Sequence, residues 1–130
     1  MLRNFLALFL LVVSAGSLAA QPPNLSGRWS GRWVSETNGH NGPLHARFRR
    51  IDEDTYRVAL RGRFAKIIPF WYTTRLNVTG TGDDVLILAA SQRLPFLGTY
   101  TTTATATSTD FDANFNSRQD SGRFILSRRR

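Results

Sequence analysis

The chain of 130 residues contains no cysteine. That absence excludes a disulfide framework, thiolate metal ligation and thiol catalysis, and it removes the residue that a bacterial lipid-anchoring signal would need. Histidine is almost as scarce, with two, and acidic side chains number 9 against 17 basic ones. Beyond the first 20 residues no stretch holds a 3.6-residue hydrophobic period, so helices are not expected there.

The amino terminus has a different character. Arg3 is followed by an apolar run from Phe5 to Val13 and then by small residues ending at Ala19 and Ala20. This is the layout of a secretory signal peptide. A transmembrane helix needs roughly 20 apolar residues, and this run is about half that, so no permanent anchor is expected after cleavage. Cleavage after Ala20 predicts a signal peptide over 1–20, a linker over 21–26 and a single domain over 27–130, secreted or periplasmic. Loss of Arg3 leaves 16 basic residues against 9 acidic ones, a net of +7. Such a surface attracts anionic polysaccharide or anionic lipid headgroups.

The mature chain reads as short alternating runs between turn residues. Eight strands are predicted: Gly27 to Glu36, Pro43 to Ile51, Thr55 to Phe64, Pro69 to Val78, Asp84 to Gln92, Phe96 to Thr107, Asp110 to Ser117 and Gly122 to Arg128. The joins "TNGHNGP", "DED" and "TGTGDD" are short and rich in Asn, Gly and Asp, which suits antiparallel hairpins. No join is long enough for a parallel crossover. The expectation is an all-β fold, an eight-stranded antiparallel up-and-down β-barrel, with a β-sandwich as the alternative.

Successive residues of a strand face opposite sides. In "SGRWSGRW" this separates Trp29 and Trp33, which share the inner face, from Arg28 and Arg32, which share the outer one. A Gly-Arg-aromatic triplet occurs four times, at Gly27, Gly31, Gly62 and Gly122. In each, glycine leaves room inside for a neighbouring ring and permits sharp coiling, while arginine faces water on an apolar stem.

Two candidate surfaces follow. Inside, the rings and small residues point to a site for a small hydrophobic or amphipathic ligand, with Trp29, Trp33, Tyr72, Gly98, Tyr100, Thr102 and Phe111 as its contacts. Ala46, Ala89, Gly98, Thr102, Ala104 and Ala113 are the small inward residues that would leave space, mainly in the later strands. A core filled by its own side chains, in a purely structural protein, is the competing expectation. Outside, Arg28, Arg32, Arg47, Arg49, Arg57, Arg61 and Arg63 would form one basic face on adjacent strands, able to bind a polyanion electrostatically. No RNA- or DNA-binding motif is present, so nucleic acid is not the expected partner.

Catalysis has little support. His40 and His45 with Glu36 or Asp54 make a weak metal set, and the serines lack a nucleophile-and-base arrangement. The chain is expected to be a non-enzyme without a cofactor.

Gly27-Arg28-Trp29 and Gly31-Arg32-Trp33 resemble the Gly-x-Trp of the first lipocalin strand. Thr109-Asp110-Phe111 is similar to the Thr-Asp-Tyr near the sixth-to-seventh strand turn, and Arg123 or Arg128 could stand for the arginine that packs over the first tryptophan. The resemblance is to the calycin superfamily, lipocalins and avidin-like barrels. It implies an up-and-down barrel and binding of a small apolar molecule. The chain departs from a true lipocalin in its shortness, its lack of a carboxy-terminal helix and the Phe at position 111.

Overall fold

A sheet with one apolar face must pack on a second layer or curl until that face meets itself. The computed structural model, which describes residues 21–65, 67–94 and 98–130, takes the second course. Its strands are β1 Gly27–Ser35, β2 Asn41–Asp52, β3 Thr55–Phe64, β4 Ile68–Gly82, β5 Val85–Leu94, β6 Gly98–Ala106, β7 Asp110–Asn116 and β8 Ser121–Arg128. Each pairs antiparallel with the next, and β8 returns to β1 with Trp29 opposite Arg128 and Trp33 opposite Phe124. The fold is a closed up-and-down barrel, and the sandwich alternative falls away.

Strand bounds lie close to those expected from sequence. The largest extension is in β4, which runs past Val78 to Gly82 because a register shift between Val78 and Gly80 lets pairing with β5 continue. The expected signal peptide over 1–20 lies outside the described residues.

Parity is kept around the barrel. Trp29, Leu44, Phe48, Tyr56, Val58, Leu76, Leu88, Phe111 and Leu126 are buried, and the alternate positions carry Arg, Thr, Asp and Asn in contact with water. This polarity is the reverse of a membrane-spanning barrel, whose outer surface is an apolar band. One assignment differs. Ala90, not Ala89, packs on the core, and Ala89 lies opposite Thr103 on the outer face. The run "VLILAA" is apolar throughout, so it carries no alternation from which its inner side could be read.

Closure needs two backbones to approach tightly at the β1–β8 seam. A Cβ at Gly31 would run into the Ile125 carbonyl, and one at Gly122 into the Val34 carbonyl and the Phe115 ring. Only a residue without a side chain fits at these crossings.

One end of the barrel is plugged. Trp29, Phe48 and Phe111 pack tilted or edge-to-face, with centroids 5.5 Å apart for Trp29–Phe48 and 5.1 Å for Phe48–Phe111. Beneath them Leu25 is fully buried. The Trp29 indole N–H donates to the Leu25 carbonyl at 2.9 Å, and the Leu25 N–H donates to the Tyr56 hydroxyl at 3.1 Å. The segment expected as a linker over 21–26 is therefore a stopper in part, held by an apolar side chain and by hydrogen bonds to β1, β2, β3 and β8.

Candidate functional site

The other end is open. Between the β1–β2, β3–β4 and β7–β8 connections lies a cavity of about 430 Å³, a volume typical of small-ligand sites. Leu44 and Leu60 form part of its wall. Two groups of rings form the rest. Phe64 stacks on Trp33 at 6.1 Å and Phe70 meets the same indole edge-on at 6.2 Å. Phe124 stacks on Phe115 at 4.8 Å, and Tyr100 lies 6.4 Å from Phe115 in nearly parallel planes.

Local sequence explains how these rings are held. The Trp33 indole N–H donates to the Arg63 carbonyl at 3.1 Å, tying β1 to the end of β3. Gly62 leaves the space that the Phe70 ring occupies, since a Cβ there would come within 2.6 Å of its Cζ. The triplets at Gly62 and Gly122 thus each make room for a ring on a neighbouring strand, Phe70 and Phe115.

Polar groups are few and placed to one side. Tyr72, Tyr100 and Thr102, on β4 and β6, bring hydroxyl groups to the wall, and Asn38 and Asp120 stand on turns at the mouth. Burial raises the Tyr72 phenol above its ordinary pKa; Thr74 beside it pulls the other way and Tyr100 adds to the rise. Tyr72 therefore stays neutral and able to donate. At the mouth, the Ser35 hydroxyl donates to Asp120 Oδ1 at 2.6 Å, joining the end of β1 to the β7–β8 turn.

Of the interior residues expected to contact a ligand, Trp33, Tyr72, Tyr100 and Thr102 line this cavity. Gly98 begins β6 at the same end, with a φ of 79° that suits glycine, and does not line it. Trp29 and Phe111 sit in the plugged end instead, because Leu25 and the carboxy-terminal Arg128 shut that end from below. Phe64, Phe70, Phe115 and Phe124 were legible as inward rings but not as cavity walls. Asn38 and Asp120 lie on turns, where parity gives no orientation.

The seven outward arginines are where the pattern predicts. Arg28 faces Arg47 across β1–β2, Arg49 faces Arg57 across β2–β3, and Arg61 faces His45. Arg32 and Arg63 lie farther along the same strands, each opposite a proline, Pro43 and Pro69. The structure adds Arg75, opposite Arg57, and Trp71, opposite Arg61. Nδ1 of His45 is buried in this face without a hydrogen-bond partner.

The weak metal set does not assemble. His40 packs against the Phe64 ring at 5.5 Å, whereas His45 lies on the outer face of β2. Among the described residues no three His, Asp or Glu side chains form a metal-like group.

Fold and cavity together define a small closed eight-stranded barrel with one plugged end and one ring-lined open end. No family model and no curated protein sequence matches the chain. Solved structures of the same shape exist. A redesigned β-barrel, mFAP1, bound to DFHBI, superposes with a TM-score of 0.59 at 19% identity, covering 81% of this chain and 94% of that one. Rv2717c from M. tuberculosis superposes with a TM-score of 0.61 at 15% identity, covering 82% of this chain and 93% of that one. At these identities the likeness is one of fold.

Proposed function

We propose that the chain is an exported, non-enzymatic barrel that binds one small, flat, largely apolar molecule in its open end. The observation that carries this reading is the cavity of about 430 Å³ between two ring groups, with hydroxyl groups on one wall only. A flat molecule can lie against rings on either side, and a single polar group can meet Tyr72, Tyr100 or Thr102. An amphipathic ligand would leave its charged end at the mouth. The amino-terminal layout of a basic residue, an apolar run and small residues supports export.

A neutral apolar dye, N-phenylnaphthylamine, tests the site. Its emission should rise on mixing with the protein and saturate at one dye per barrel, with Trp33 emission falling in step. Thr102→Phe should abolish both signals by filling the cavity. Dye uptake that this variant leaves intact would place binding elsewhere and sink the proposal.

A further inference from the structure

We propose that the open end of the barrel docks on an anionic lipid bilayer through the tip of the β3–β4 hairpin. The tip gathers four of the six exposed large apolar side chains among the described residues, the other two, Ile51 and Ile87, standing apart from it. Ile67 is 80% exposed, Ile68 54%, Trp71 76% and Phe64 40%. Four large apolar side chains within eight residues, all at one end, make a contiguous patch of the kind that marks an interaction surface. Phe64 and Ile68 are cross-strand partners, and Trp71 lies three pairs up the ladder beside Arg61.

The charge around this patch selects its partner. Outward strand positions of β1 to β4 carry arginines at 28, 32, 47, 49, 57, 61, 63 and 75 against one carboxylate, Asp52 at the far end of β2. Arg49, Arg57 and Arg75 form one row across three strands, and Arg28 faces Arg47. Like charges directly opposite one another destabilise a sheet. Among the described residues none of these arginines is in an ion pair: the single pair there joins Arg123 to Asp112 on β7 and β8. An anionic surface would relieve that repulsion.

An acidic polysaccharide would meet the arginines but would leave Ile67 and Ile68 in water. A bilayer meets both. Isoleucines enter the acyl boundary, the Trp71 indole takes the interfacial level that tryptophan favours, and Arg61 and Arg63 reach anionic headgroups along their apolar stems. Phe64 belongs to both the tip and the cavity wall, so a docked barrel would turn its mouth toward the lipid. Docking does not require that the barrel hold a ligand.

The test uses residues 21–130, which contain all eight strands and the whole core, so that the apolar leader cannot itself bind lipid. Sedimentation is compared between vesicles of phosphatidylcholine alone and vesicles of phosphatidylcholine and phosphatidylglycerol in equal parts. The protein should sediment with the second and not the first, and Trp71 emission should shift to the blue and be quenched by brominated acyl chains. The double variant Ile67→Ser with Ile68→Ser should bind at least roughly tenfold more weakly, as removal of apolar burial implies. Arg61→Gln with Arg63→Gln should remove the preference for phosphatidylglycerol. Two results would overturn the proposal. One is absence of binding to either vesicle; the other is serine-variant binding equal to wild type, with heparin competing as an equal partner, which would mark a polyanion surface instead. Brominated-lipid quenching present in the unsubstituted protein and lost in Trp71→Phe decides the matter even if another variant fails to fold.

Discussion

The guanidinium of Arg128 stands over the indole of Trp29, 5.3 Å from the ring centroid, and there it ties three parts of the chain together. It donates to the Asn24 carbonyl at 2.8 Å, to the Ser108 carbonyl at 3.2 Å and to the Ser26 carbonyl. The amino-terminal stopper, the β6–β7 turn and the last strand thus meet at one side chain. Of the two arginines that could cover the first tryptophan, Arg128 does so, whereas Arg123 pairs with Asp112 on the outer wall.

Replacing Arg128 by alanine removes the cation–π contact and leaves three carbonyls without their donor. The expected cost is about 2–3 kcal/mol in urea unfolding. Arg128→Lys should recover less than half of it, because an ammonium lacks the planar fork that reaches several carbonyls at once. Full recovery by lysine would show that charge alone matters at this position.

A seam glycine and one on β4 give a sharper contrast. At Gly122 an added methyl meets backbone, the Val34 carbonyl, as well as the Phe115 ring, whereas at Gly80 it meets the flexible end of Ile87 at 3.3 Å. Gly122→Ala should destabilise by about 3 kcal/mol or prevent closure, and Gly80→Ala by about 1 kcal/mol or less. Thermal melts of the two variants side by side make the comparison.

What the sequence could disclose, and what it could not, divides along one physical line. Period-two alternation fixes which residues of a strand face inward, so Trp29 and Trp33 were legible as inner residues and Arg28 and Arg32 as outer ones. It says nothing about height within the barrel. Trp29 and Trp33 differ in role because Leu25 and Arg128 close one end, and those contacts join residues up to 104 positions apart. The cavity is set by the same long-range register, as are Asn38 and Asp120 at its mouth. Trp71 was legible as one of an inner and outer pair with Tyr72. Its place beside Arg61 and the exposed isoleucines appears only once β3 and β4 are paired.

Tyr72 makes the protein sensitive to alkali in a defined direction. Its folded pKa is raised above that of the unfolded chain, chiefly by burial, so folding favours the protonated phenol. Its contribution to stability is intact below the unfolded pKa and is lost as pH rises through the folded one. Urea melts from neutral to alkaline pH should therefore show the wild type falling more steeply than Tyr72→Phe. Parallel curves would assign the alkaline sensitivity to other groups.

The open end also implies a conflict between stability and binding that one substitution can expose. Thr102 is mostly buried at the cavity wall, among Tyr72, Tyr100 and Phe115, so a larger apolar side chain there enters space that is already present. Thr102→Phe should leave stability unchanged or raise it by about 1 kcal/mol, since filling a void adds apolar burial without displacing backbone. The same change should remove uptake of N-phenylnaphthylamine. Ala113→Phe, at a fully buried position, should instead destabilise the fold by about 1–3 kcal/mol through overpacking. If both variants lost stability equally, the open end would be as tightly packed as the plugged one, and the ring-lined cavity would have no room for a ligand.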